Sequence, residues 1–125
     1  MILDTNAVSA LFDGDAALKA MLGRAAKISL PVIVLGEYRF GLLGSRKRSV
    51  TAPDIDGLQG VSDILLIDAE TVHPYAKLSD QLKRAGTPIP TNDIWIAALA
   101  VQHRLPIVSR DRHFDLVPGV RRLAW

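Results

Sequence analysis

Four short apolar runs, each stopped by a polar or turn-forming residue and separated by helix-length stretches, constrain this chain more than any other feature. Met1–Leu3 meets Asp4-Thr5-Asn6, Ile28–Leu30 meets Pro31, Ile64–Ile67 meets Asp68, and Leu105–Ser109 meets Arg110-Asp111. A short apolar run ending in a polar turn reads as a buried strand. Strands alternating with helical stretches predict an α/β/α sandwich, with a mostly parallel sheet of about four to five strands. Val120–Trp125 supplies a further edge strand.

The helices follow from their punctuation. Asn6 is placed to cap a short helix through Phe12, and Asp15 a second one, DAALKAMLGRAA. Pro31 suits a first helical turn, and Gly44 an end. Between them PVIVLGEYRFGLLG is apolar on almost every side, which predicts a largely buried helix. Residues 46–63 are polar and broken by Pro53, Gly57 and Gly60, with room for a short helix. Another helix is expected from about Ala69 to Arg84. Gly86, Pro88 and Pro90 form a rigid connector, and Thr91 or Asn92 caps a helix from Asp93 to Arg104. Arg110 to His113 reads as a turn.

Composition removes several classes of function. At 125 residues the chain is expected to be one domain, 1–125, and 49% apolar residues exclude a disordered chain. Without cysteine there is neither a disulfide framework nor a thiolate metal site. No apolar run approaches the ~20 residues of a membrane span, and MILDTN lacks the basic start of a secretory signal. A cytoplasmic protein is the expectation.

The acids carry the chemistry. Ligands of parallel α/β sheets bind at the C-terminal ends of the strands. Asp4 follows the first strand and Asp111 the fourth, so neighbouring strands would face both into one crevice. Asp93 lies in the first turn of its helix, where the macrodipole favours a negative charge. Each Asp alone is equally well a helix or turn cap. Glu37 shares its helical face with Ile33, Val34, Phe40 and Gly41, and a desolvated carboxylate there requires either a cation, such as Arg39 or Arg110, or a metal ion.

These positions resemble the PIN-domain nucleases, and in particular the VapC-type toxins of type II toxin–antitoxin pairs. MILDTNAVSALF is similar to the family's first motif, GEYRFGLL to the helix with the second acid, NDIWIAALA to the helix with the third, and IVSRDRHFDLVPGV to the last motif. The four occur in the family's order from Ile2 to Val120. The resemblance implies a PIN-like fold with Asp4, Glu37, Asp93 and Asp111 as catalytic and metal-binding residues. Thr5, Asn6 and Ser109 match polar positions beside the acids, for substrate or supporting hydrogen bonds or for turn capping. It also implies a longer helix across residues 46–63 than the residues there suggest.

Hard oxygen ligands suit Mg²⁺ or Mn²⁺. A metal-activated water can hydrolyse a phosphodiester without a covalent enzyme nucleophile. Arg110 and Arg112 flank the site and are candidates for phosphate contacts, with Arg46-Lys47-Arg48 and Arg121-Arg122 as further basic clusters. His113, two residues from Asp111, is a conceivable ligand or general base but is read first as a packing or turn residue, and Asp115, a candidate accessory acid, is read first as a solvated one. RNA as substrate and the toxin role come from the resemblance alone, as do a VapB-like antitoxin partner and a homodimer. A mean hydropathy of +0.20 independently favours apolar surface covered by association.

Two other readings stand beside this one. An aspartyl phosphotransfer enzyme also places Asp after its first strand, but the phosphatase pattern wants a second Asp at position 6, where Asn6 stands. The receiver pattern wants a lysine where Arg110 and Arg112 stand. A catalytically silent binding module would not need all four acids.

Overall fold

A computed structural model describes residues 1–46 and 48–125, with the backbone alone for residues 48–51. Five short strands form one sheet: β1 (Ile2–Leu3), β2 (Ser29–Pro31), β3 (Asp63–Leu65), β4 (Ile107–Val108) and β5 (Arg122–Leu123). Their order is β3-β2-β1-β4-β5, and every pairing is parallel. Ile2 stands opposite Ser29 on one side and Ile107 on the other, so β1 is central. The chain builds outward from β1 through β2 to β3, then returns to the far side of β1 with β4. The crevice between β1 and β4 is therefore the point where the winding reverses, the place such sheets offer to ligands.

Six helices cover the sheet: α1 (Thr5–Phe12), α2 (Ala16–Leu22), α3 (Val32–Leu43), α4 (Arg48–Val61), α5 (Ala69–Arg84) and α6 (Thr91–His103). A 3-10 helix, Arg112–Leu116, precedes β5. The best-defined start is that of α5. The Asp68 carboxylate accepts from the Glu70 and Thr71 backbone amides while the Thr71 hydroxyl accepts from the Asp68 amide, a reciprocal capping box. Asp15 caps α2 through the Leu18 amide, as its position in the sequence implies. Gly44 ends α3.

Four local expectations are corrected. Asp4, not Asn6, caps α1, because its carboxylate reaches the Thr5 amide while Asn6 lies inside the first turn. Pro90, with no side-chain hydrogen bond, precedes α6 in place of a Thr91 or Asn92 cap. α3 is not buried all round. Val34, Leu35 and Leu42 face the core while Phe40 and Leu43 are 79% and 69% exposed. Residues 48–61 form a 14-residue helix through Pro53, longer than the residue pattern alone implies, because Ile55 and Leu58 bury one face. Tertiary burial outweighs the propensity cost of Pro53, Gly57 and Gly60 there. Arg39 of α3 ties that helix in place through Asp56 at 2.6 Å and Gln59 at 2.9 Å. Of the basic cluster at 46–48, Lys47 and the Arg48 side chain lie outside the described residues.

The core is aliphatic. Ile2, Leu3, Leu30, Ile107 and Val108 of the sheet are fully or almost fully buried, and Ile96, Ala97, Ala98 and Leu99 of α6 pack into the same core. No helix among the described residues is long and apolar enough to cross a membrane. Ile107→Ala removes a fully buried side chain from a central strand and is expected to cost about 2–4 kcal/mol in urea unfolding. Phe40→Ser on the exposed face of α3 is expected to cost less than about 0.5 kcal/mol. Equal losses for the two would contradict this placement of the core.

Candidate active site

The site begins with the cap of α1. Asp4 leaves the central strand and turns straight into a helix, so its carboxylate lies at the helix N-terminus and 5% of the residue is exposed. Three donors hold it: the Thr5 amide at 2.7 Å, the Asn6 side-chain amide at 2.8 Å and the Ser109 hydroxyl at 2.8 Å. Ser109 is itself fully buried at the end of β4, and its Oγ also accepts from the Asp111 backbone amide at 2.9 Å. The Asn6 carboxamide closes the network by donating to Ser109 Oγ at 2.9 Å and accepting from the Arg110 amide at 3.1 Å. A few polar side chains thus lock β1, α1 and the segment after β4 into one register.

Asp111 caps the 3-10 helix through the His113 amide at 2.9 Å. That helix brings the His113 ring back over the acids. Its Nδ1 lies 3.1 Å from Asp111 Oδ1 and 3.2 Å from Asp93 Oδ2. One donor atom from each of Asp93, Asp111 and His113 lies within 4.8 Å of the others. Glu37 stands on α3, half-buried, and accepts from the Thr5 hydroxyl at 3.3 Å. The residue that follows Asp4 therefore connects it to Glu37.

The electrostatics set these carboxylates against one another. Burial raises the Asp4 pKa above its ordinary value, opposed by its hydrogen bonds, and the charge of Asp111 adds to the rise. Burial pushes Asp93 up to about 6, partly offset by the bond from His113 and increased by the charges of Asp4 and Asp111. Among the described residues, no Lys or Arg forms an ion pair with Asp4, Glu37, Asp93 or Asp111. Neither arginine proposed as a partner of Glu37 serves it. Arg39 binds Asp56. Arg110 binds Asp15 at 2.8 Å and lies 4.4 Å over the Trp125 ring, so its head is also turned away from phosphate duty beside the acids. Arg112 is exposed. Hard oxygen donors crowded together without a paired Lys or Arg suit a divalent cation, so the residues present fit Mg²⁺ or Mn²⁺.

Two features are underrated or missed by a reading of the sequence. His113 enters the cluster because the 3-10 helix folds it back, and its position two residues after Asp111 is the only hint. Arg122 grips Asp115 with two bonds of 2.8 Å each and donates to the Ser109 carbonyl at 3.0 Å. This holds Asp115 charged, with its pKa lowered, and fixes the backbone from which Ser109 and Asp111 project. Asp115 is accordingly a structural partner of Arg122 rather than a free solvated acid.

Comparison with known proteins gives a consistent picture. A family model described as PIN domain matches residues 1–120. Ribonuclease VapC5 of Mycobacterium tuberculosis is 28% identical over 120 residues, which cover 94% of this chain and 87% of the relative. The VapC ribonuclease Y4jK of Sinorhizobium fredii is 31% identical over 121 residues, covering 89% and 86%. The crystal structure of VapBC2 from Rickettsia felis bound to a DNA fragment from their promoter superposes with a TM-score of 0.91 at 25% identity, covering 99% of this chain and 97% of that one.

The raised Asp93 pKa carries a stability prediction. A carboxyl whose folded pKa exceeds its unfolded value of about 3.8 contributes most when protonated, and that contribution is lost as pH rises through about 6. In EDTA at pH 7, Asp93→Asn should therefore raise stability by about 1–2 kcal/mol, less than the full shift implies because water screens the open side of the pocket. At pH 4 the gain should vanish. A Tm at pH 7 that stays level or falls would contradict the crowding of charge described above.

Proposed function

The chain belongs to the PIN-domain family, and from that membership we propose that it is a divalent-metal-dependent endoribonuclease, the toxin of a type II, VapBC-like toxin–antitoxin pair. The observation that carries the reading is the gathering of Asp4, Asp93 and Asp111 at the β1/β4 crevice, without a Lys or Arg against them among the described residues. Its relatives of similar length named as ribonucleases support RNA as the substrate.

In this reading residues 1–125 act as one nuclease domain on cytoplasmic RNA. Asp4, Asp93 and Asp111 hold Mg²⁺ or Mn²⁺, with Glu37 as a further ligand or an acceptor for the proton of the attacking water. A divalent ion bound there supplies a water of lowered pKa and positive charge against the scissile phosphate. The chain's own residues do the positioning. Ser109 and Asn6 hold the Asp4 carboxylate in one orientation. Thr5 sets Glu37 relative to Asp4. His113 donates from Nδ1 toward Asp93 or Asp111 when protonated and so disperses part of their charge. Arg112, exposed beside Asp111, is available to the phosphate backbone.

The partner reading rests on the surface. Phe40 and Leu43 are exposed on α3, and a cavity of about 390 Å³ lined by them with Arg39, Leu42 and Ala52 opens between α3 and α4. Val61, Leu66 and Val72 are exposed elsewhere. Apolar surface of this kind supports a VapB-like antitoxin and a second copy of the chain as partners.

Asp4→Asn is expected to abolish RNA cleavage, with the far-ultraviolet circular dichroism of the wild type retained. Chelation with EDTA should stop cleavage, and Mg²⁺ or Mn²⁺ should restore it. Wild-type cleavage by the variant, or activity that persists through chelation, would sink the metal-site assignment.

A further inference from the structure

At the C-terminal end of α6, three turns from Asp93, two cavities adjoin. One, of about 360 Å³, lies between α5, α6 and the turn before β5, and is lined by His73, Lys77 and Gln81 above Leu78. The other, of about 280 Å³, lies at the end of α6 and is lined by Arg104 and Arg121 beside Leu105 and Pro106. Val101 and Gly119 line both, so the two cavities adjoin across these residues and make a trough in two parts. Its chargeable residues are all basic: His73, Lys77, Arg104 and Arg121, each exposed. None of these four side chains makes an ion pair or hydrogen bond among the described residues.

Arg104 adds an independent observation. It ends α6 at φ +54°, the only non-glycine residue with positive φ among those described. Left-handed caps are ordinarily glycine or asparagine, and other L-residues pay about 1 kcal/mol or more for that backbone. A strained arginine at a position where glycine is cheaper, with its side chain lining the trough, points to a use for the charge.

We propose that this trough is a second RNA-binding site, which holds the phosphodiester backbone of substrate outside the acidic crevice; it rests on the reading of the chain as a ribonuclease. Spaced cations over an apolar floor suit a polyanion held by its phosphates rather than read by its bases, and the His73 ring is the one aromatic side chain among the lining residues. A second copy of the chain fits poorly, since a two-fold contact would bring the same cations face to face. Arg104 follows Asp93 by eleven positions, about 16 Å along the helix. An RNA of several nucleotides spans that distance, and a dinucleotide does not.

The test is fluorescence anisotropy of a labelled single-stranded RNA on the full chain in EDTA, so that binding is read without cleavage. Arg104→Gly with Arg121→Gln should weaken binding about tenfold near 0.1 M salt and reduce the slope of log affinity against log salt by about 1.4, two phosphate contacts' worth. Arg104→Gly alone should leave the Tm unchanged or raise it, which separates lost binding from lost folding. With Mg²⁺ present, the double variant should cut a dinucleotide at the wild-type rate and show a raised KM on a long RNA. Unaltered affinity and slope would overturn the trough while leaving the nuclease reading intact. So would poly-glutamate of equal charge competing as well as RNA, which would assign the trough to an acidic peptide. A chain that binds RNA through these arginines yet cuts none would instead defeat the nuclease reading and support the trough.

Discussion

A carboxylate placed almost out of water at the end of the central strand organises much of this molecule. Asp4 follows Leu3 without a spacer, and the turn into α1 leaves its side chain only the polar groups that the fold can bring to it. An unpaired buried charge is expensive, so those groups must be exact in number and placement. The Thr5 amide comes from the helix that Asp4 caps, and Asn6 from the same first turn. Ser109 comes from the neighbouring strand, 105 residues away. The all-parallel order, with β1 beside β4, is what brings Ser109 there. Arg122 then fixes Ser109 from the edge strand, so even the last strand contributes to holding one carboxylate.

Hydrogen bonds offset the burial of Asp4 but do not neutralise it, and the fold adds Asp93 and Asp111 nearby. The arginines close by are ion-paired elsewhere, although the charge of Arg122 still reaches Asp111. Arg110 pairs with Asp15 and lies over the Trp125 ring, and Arg122 pairs with Asp115. The chain holds 15 Lys and Arg against 13 acids, yet among the described residues none of those cations forms an ion pair with the acids of this crevice. With four acids assigned to the pocket, 15 bases stand against nine acids elsewhere, which makes an acidic hole on a basic surface. Such a crevice is unfavourable to itself and favourable to a divalent cation.

Much of this was legible from residue order. The bounds of α5, the Asp15 cap, the end of α3 at Gly44 and the parallel sheet follow from local punctuation and from strand–helix alternation. Asp4 and Asp111 could be placed at strand ends before any fold was known. What could not be read depends on contacts distant in sequence. The length of α4 is set by Ile55 and Leu58 meeting the core, which overrides Pro53. The exposed side of α3 follows from which of its apolar residues the core can reach. His113 joins the acids because a 3-10 helix curls after Asp111, and Arg110 is drawn away by an aspartate and a tryptophan at opposite ends of the chain. Side chains that settle between distant elements leave little trace in local pattern, whereas caps and strand ends do.

The central claim is that the crowded carboxylates are relieved by a divalent ion. Thermal unfolding at pH 7 with increasing Mn²⁺ measures this directly, because an ion that binds only the folded chain stabilises it by about 2.7 kcal/mol at a hundred times its Kd. The wild-type Tm should climb with Mn²⁺, and that of Asp111→Asn should stay level. A wild-type Tm indifferent to Mn²⁺, or an equal rise in the variant, would contradict the claim.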